Sequence, residues 1–431
     1  DSASIVRDTA YGSGEDFWAD LPERIRPLTR LSFFLDRLAF GLEPAGYHLQ
    51  NLLLHTGCGL LLYSIIARAR LGPPGLAFWS ALFFLVHPIA CETVTYVSGR
   101  ASGLSAFLLL LALALYTRAT PGTDGSAIRP LTYAAALAAF ALALGAKETA
   151  AALPLLLLAW DAIVRRAAAG APRDWYFRNH LPFWGVLAVA ILAALLLVPR
   201  YRELAAFSLA LRAPWENLWV QCKPLAFALV LYARPAWLNV DHALAPAPLS
   251  DPLAWVAAGA LAALLTTAIL IARRLPAVTL GVIWFFVTAL PANGPIARSD
   301  LLSERNLYLP CMGLAIAAAG LLCALIAAWP KPTQAWAGLA FRVAALGMVA
   351  YLGSATVQRN SLWASPLALW TDAVTKSPLN SRAHNNLGFA LERQGDLDGA
   401  IREYRRALDL DANDAQAGRN LQRAWAAAAR R

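Results

Sequence analysis

Leu307-Tyr-Leu-Pro-Cys-Met-Gly-Leu-Ala-Ile-Ala-Ala-Ala-Gly-Leu-Leu-Cys-Ala-Leu-Ile-Ala-Ala-Trp329 contains no charged side chain. Coiled as a helix rising about 1.5 Å per residue, a run of this length spans the roughly 30 Å hydrocarbon core of a bilayer. Ser303-Glu304-Arg305-Asn306 stands immediately before it, so charge stops where the apolar run begins. Similar blocks occur at residues 47–67, 75–86, 101–116, 131–146, 149–164, 181–198, 253–272, 277–290 and 335–357. One helix per block predicts an all-α, polytopic membrane bundle of about ten crossings. Residues 215–232 are also apolar, but Gln221, Lys223 and Pro224 interrupt them, which predicts a re-entrant or surface helix with Asp241 returning near the charged end.

Composition agrees with the block pattern. Hydrophobic residues make up 58% of the 431 and charged ones 15%, with a mean hydropathy of +0.50. A soluble domain of this make-up would expose large apolar patches. The net charge of +10 is spread between apolar blocks instead of gathered on one basic domain, which favours a membrane surface and lipid phosphate over nucleic acid as partner. The five cysteines, Cys58, Cys91, Cys222, Cys311 and Cys323, lie mostly in apolar segments with no CxxC or Cys/His spacing, and read as packing residues.

Ten crossings put both chain ends on one side. Arg165, Arg166, Arg173 and Arg178 crowd one loop, and Arg68, Arg70, Arg273 and Arg274 fall on the same side, which the positive-inside rule makes cytoplasmic. Residues 1–46, the loops 87–100 and 291–305, the pair Lys147-Glu148 and the tail then face outward. That outer face mixes acids (Asp1, Asp8, Glu15, Asp16, Glu92, Glu148, Asp241, Asp300, Glu304) with Arg24, Arg26, Arg30, Arg37, Arg298 and Arg305, against the rule unless the arginines hold an anion. Residues 1–46 are expected to form an outer loop with an amphipathic helix, 47–357 the membrane domain and 358–431 a helical tail. In the tail, Ala383-His-Asn-Asn-Leu-Gly-Phe-Ala390 and Gly395-Asp-Leu-Asp-Gly-Ala-Ile-Arg-Glu-Tyr-Arg-Arg-Ala-Leu408 fit a tetratricopeptide repeat. Asn386-Leu387 recurs as Asn420-Leu421 at the repeat's 34-residue period, and the same step maps Tyr404 onto Trp370 and Ala407 onto Ala373 in a degenerate earlier repeat.

The order of further motifs resembles a known family. Asp1-Ser-Ala-Ser-Ile-Val-Arg-Asp8, Arg26-Pro-Leu-Thr29, Gly41-Leu-Glu-Pro-Ala-Gly-Tyr-His-Leu-Gln-Asn51 with His55, His87-Pro-Ile-Ala-Cys-Glu92, Gly99-Arg100-Ala101, Lys147-Glu148 and Ser303-Glu304-Arg305-Asn-Leu-Tyr308-Leu-Pro310 follow one another as in the transmembrane and tetratricopeptide-repeat (TMTC-like) O-mannosyltransferases, of the GT-C class. Ser102 stands where that family usually has an acid. The resemblance, to a bacterial-type homologue, implies a transmembrane helix before Asp1, and makes Asp1 the second of two paired acids. It also implies an inverting glycosyltransferase that takes its sugar from a polyprenyl-phosphate donor and gives it to a protein Ser/Thr hydroxyl or a glycan. The expected location is the bacterial inner membrane, with site and tail periplasmic and the tail engaging the acceptor.

Such a transfer needs a carboxylate to take the acceptor proton and cations to hold the leaving phosphate. Asp1 is the expected base, with Asp8 or Glu92 as substitutes, and Glu92 is expected to orient Arg100 or the sugar hydroxyls. Arg100, Lys147 and Arg305, each at an outer helix end beside an acid, are the expected phosphate ligands. His48, Asn51 and His55 share a helix face, where they either position the sugar or hydrogen-bond between helices. His87, Glu148, Asp241, Glu304 and Tyr308 complete the candidates. No metal ligand set is recognised, and a need for divalent metal is left open. Two other readings are a membrane scaffold whose tail gathers partners and a lipid-linked-substrate transporter. The first has no use for a carboxylate–arginine constellation, and the second calls for mid-membrane polar residues in repeated halves.

Overall fold

A computed structural model describes residues 25–73, 75–120, 128–165, 173–330 and 334–430, and among these the regular elements are all helical. Apolar runs build the long helices and proline sets many of their starts. Helices α1 (Pro27–Phe40) and α2 (Pro44–Ala69) begin on proline, a residue whose missing N–H costs nothing in a first turn. After α3 (Gly75–Val86), α4 (Arg100–Ala119), α5 (Pro130–Ala146), α6 (Leu153–Trp160) and α7 (Arg173–Leu197), proline again opens α8 (Pro199–Leu211) and α9 (Pro214–Val220). Then come α10 (Cys222–Ala233), α11 (Pro252–Leu270), α12 (Pro276–Asn293), α13 (Tyr308–Ala327) and α14 (Gln334–Trp363).

The ten apolar blocks all fold as helix, yet among the described residues only seven helices are long and apolar enough to cross a membrane singly. Helix α3 has 12 residues and bends by 52° at Pro88 into the segment Pro88–Val94, making an eighth span if the pair is counted as one. Helix α5 has 17 residues, and the block after it divides into a 3-10 turn (Glu148–Ala152), α6 and a π turn (Asp161–Arg165). Each apolar run marks a helix, but helices of 12 and 17 residues are too short to cross alone, so one crossing per block overcounts. The interrupted stretch 215–232 is divided too: Gln221 separates α9 from α10, its side chain accepting from Asn293 Nδ2 at 2.9 Å.

The centre is packed by Trp284, Tyr116, Tyr308, Phe84, Phe140 and Phe183, each almost wholly enclosed. Helices α7, α11 and α14 instead show most of their apolar surface: Leu197, Val256 and Val357 are 70%, 67% and 70% exposed. Such side chains are stable when lipid covers them.

Helices α12 and α13 pack with their backbones touching. A methyl on Gly281 would lie 2.4 Å from the Gly313 carbonyl oxygen, and one on Gly313 2.5 Å from that of Gly281. Small residues permit this approach and side chains forbid it. Gly313→Val is therefore expected to cost about 1–3 kcal/mol through overpacking, seen as a lower melting temperature of the purified protein. An unchanged melt would contradict the close contact.

The tail contains α15 (Pro366–Lys376), α16 (Ser381–Arg393), α17 (Leu397–Leu410) and α18 (Ala415–Ala428). Ser365, Asn380, Asp396 and Asp414 cap the four N-termini with their side chains. Gly395, at φ 85°, makes the left-handed turn between α16 and α17. Tyr404 and Ala400 fill the space between the helices, and Asn420 donates to Asn385 across the repeat.

Candidate functional site

The connections at one end of the bundle bring charges together from distant parts of the chain. Helix α1 lies across this end: Thr29, Phe33 and Asp36, on its one buried face, point into the protein, and Thr29 Oγ1 donates to the last carbonyl of α5, Ala146, at 2.8 Å. Arg26, just before α1, has a left-handed backbone (φ 57°), costly for a residue with a side chain. Its guanidinium grips Glu148, with Nε 3.1 Å from Oε1 and Nη2 2.9 Å from Oε2. Beside that pair, the buried Lys147 donates from Nζ to Ser102 Oγ at 2.7 Å and Asn306 Oδ1 at 2.8 Å. Arg305 donates its backbone N–H to Glu92 Oε2 at 2.9 Å and keeps its guanidinium 3.7 Å from the same carboxylate, with the side chain 39% exposed.

The electrostatics of this end favour an anion. Burial pushes the Lys147 ammonium well below its usual range, and the positive charges of Arg26, Arg305 and Arg298 add to the effect against Glu148. Burial alone would raise the Glu148 carboxyl, but Arg26 more than offsets it and holds the group below the usual carboxylate range. The basic residues Arg26, Lys147, Arg298 and Arg305 thus gather about Glu148 and Glu92, with Asp300 acting on Arg298, and an anion bound there would favour the charged form of Lys147.

Not every expected residue joins them. Arg100 is fully enclosed: Nη2 lies 2.8 Å from Asp36 Oδ2 and donates to the Tyr47 carbonyl at 2.9 Å, Nε bonds Asn51, and the guanidinium stacks 4.9 Å from the centre of Phe33. It clamps α1 and α2 to α4 and presents no open face to a phosphate. Glu92 accordingly serves Arg305 and does not orient Arg100, because Asp36 has already neutralised that guanidinium. Asn51 is spent inside the clamp, with further bonds to the carbonyls of Val94 and Tyr96. His55 bridges Tyr308 Oη at 2.8 Å and the Leu85 carbonyl at 3.1 Å, tying α2, α3 and α13 together, which is the inter-helix alternative of the sequence reading. His87 bonds the Tyr232 carbonyl and stacks on that ring at 4.3 Å. His48 is half-buried on α2. Asp1 and Asp8 lie outside the described residues. Among the described residues no group of three or more His, Cys, Asp or Glu side chains could hold a metal ion.

Glu304 and Asp241 have their own partners. Glu304, buried, accepts from the Asn239 N–H at 2.6 Å and Arg359 Nη2 at 2.5 Å, with His242 Nε2 at 3.1 Å. Asp241 takes two bonds from Arg382 of the tail, at 2.5 and 2.6 Å. The sequence reading passed over Asp36, Ser102 as a Lys147 partner, Asn239, His242 and Arg359. Asp36 had a usable signal, an acid at i+7 from Thr29 on the buried face of an amphipathic helix. The other four are brought in by folding alone. At the opposite helix ends a second buried network joins Asp161 to Tyr116 (2.5 Å), His180 (2.9 Å) and Arg165 (2.6 Å).

Fold and site together define a class: an integral membrane protein of many apolar helices, with a cation-rich end and a tetratricopeptide tail docked beside it. Residues 381–414 match the tetratricopeptide repeat. Over nearly its whole length the chain is homologous to the TMTC protein O-mannosyl-transferases. It is 28% identical to human Protein O-mannosyl-transferase TMTC1, covering 92% of this chain and 49% of that protein. The figures are 28%, 90% and 59% for human TMTC4, and 25%, 95% and 51% for Drosophila melanogaster Tmtc3. The chain therefore spans about half the length of the curated relatives it matches. No solved structure matches it.

Proposed function

We propose that this chain is a membrane glycosyltransferase that moves a sugar from a polyprenyl-phosphate donor to a Ser or Thr hydroxyl of a protein, or to a glycan, with inversion at the anomeric carbon. The observation that carries this reading is the gathering of Arg26, Lys147, Arg298 and Arg305 about Glu148 and Glu92 at one end of an apolar bundle. A phosphate seated among these cations would relieve their mutual repulsion on binding, and relieve it further as the sugar departs and the phosphate gains charge. The acceptor oxygen attacks the anomeric carbon, the bond from that carbon to the phosphate oxygen breaks, and the hydroxyl proton passes to a carboxylate. Asp1 is assigned as that base and Glu92 as its substitute. The exposed apolar helices supply a surface along which a polyprenyl tail can lie. The names of the homologues point to mannose as the sugar and to protein as the acceptor. Transfer from polyprenyl-phosphate mannose to a protein by membranes containing the chain, absent from membranes without it, tests the reading.

The proposed site faces away from the cytoplasm, into the periplasm if the membrane is a bacterial inner one. The arginine-rich connection between α6 and α7 supports that side by the positive-inside rule. Alkaline phosphatase fused after Lys376 is expected to be active in a bacterial host. An inactive fusion with active β-galactosidase at the same junction would reverse the assignment.

A further inference from the structure

The segment 238–242 touches two things at once. On one side it holds Glu304, through the Asn239 N–H and His242 Nε2. On the other it holds the tail: Asn239 Nδ2 donates to Ser377 Oγ at 3.0 Å, Lys376 Nζ donates to the Leu238 carbonyl at 2.8 Å, and Arg382 grips Asp241. The remaining oxygen of Glu304 is bound by Arg359, near the end of α14, the helix that leads into the tail. Glu304 is 1% exposed. The residue after it is Arg305, whose own N–H is pinned on Glu92.

A carboxylate this deeply enclosed tolerates few arrangements. Each donor withdrawn leaves charge uncompensated, so the set holds together or is released together. Two routes by which the tail meets the membrane domain, α14 and the segment 238–242, end on the same carboxylate, one residue from an open guanidinium of the cation cluster, and a third, Arg382 to Asp300, enters the loop that precedes it. We propose that Asn239, His242 and Arg359 are positioning residues that tie the docking of the tetratricopeptide tail to the placement of Arg305. The functional side of this rests on the reading of Arg305 as a ligand of the donor phosphate. A polypeptide that engages the tail then changes how firmly the donor is held, and by linkage a bound donor changes how firmly the tail is docked.

Hydrogen exchange on the intact chain in lipid nanodiscs tests the coupling without relying on catalysis. Asp300→Asn, which weakens only the bond of Arg382 to the loop before Arg305, serves as the control, and Arg382→Ala removes that bond together with those to Asp241. Amides 303–307 are expected to exchange about 5-fold faster or more, while helices α17 and α18 keep their wild-type rates. Glu304→Gln, nearly isosteric, loses the charge that Arg359 grips, and amides 376–383 are expected to speed up by the same factor, since coupling is reciprocal. Wild-type exchange at the far segment in Arg382→Ala or Glu304→Gln overturns the proposal, as does equal acceleration in the control. If Glu304→Gln loosens the whole bundle, the Arg382→Ala arm decides. Binding of polyprenyl phosphate is measured on the same samples. Faster exchange at 303–307 with unchanged binding leaves the coupling standing and removes Arg305 from the donor site.

Discussion

Arg305→Ala lowers sugar transfer by about 10²- to 10³-fold, the usual loss when one strong donor to a developing negative charge is removed, while the protein inserts and folds as before. The geometry makes this substitution cleaner than its neighbours. The Arg305 backbone stays pinned on Glu92 and its side chain is 39% exposed, so truncation opens no buried hole. Arg305→Lys keeps the charge but loses the planar fork, and should fall between the two. Lys147→Ala is expected to lower turnover as well, but it also strands Ser102 and Asn306, which Lys147 joins. Arg100→Ala makes the contrast. It leaves Asp36 buried without its cation, at a cost of about 3–5 kcal/mol, so it should reduce the yield and melting temperature of folded protein. Transfer rates from the lipid-linked donor, set beside thermal melts of the same preparations, check both. Wild-type turnover in Arg305→Ala would leave the donor assignment without support.

Asp1→Asn removes basicity and keeps shape. Transfer is expected to drop by roughly 10²-fold or more, the scale of a general base, with the KM for the lipid donor unchanged. Glu92→Gln gives the comparison. Glu92 holds both the N–H and the guanidinium of Arg305, so its loss should raise the donor KM along with any effect on turnover. If Asp1→Asn works near normally and Glu92→Gln loses turnover, the base is Glu92.

How far the sequence reached depended on the range of the interactions that decide each feature. Block length and hydropathy are local, and they were enough for an all-α membrane bundle and for every apolar block to be helical. The 34-residue recurrence of Asn386-Leu387 as Asn420-Leu421 sufficed for the tail, because a repeat buries its faces against a neighbour in sequence. The break at Gln221 was also legible, since the residues that divide a helix stand in the run itself. Lys147-Glu148 stood out in the same way, as a charged pair between apolar blocks, and the helix does end there. Which cation meets which carboxylate was not legible. Arg100 and Arg305 look alike in sequence, each at a helix start with an acid nearby, yet one is sealed against Asp36 and the other is left open beside Glu92. A charge pairs with whatever the packing of α1, α4 and the 303–307 segment brings within about 4 Å, and that packing joins residues up to 213 positions apart. From its own residues the chain thus determines helices, their membrane setting and a charge-rich end. Tertiary structure alone decides which of those charges are spent as clamps and which remain to hold a ligand, because ion pairing in a low-dielectric interior depends on distance and not on order along the chain.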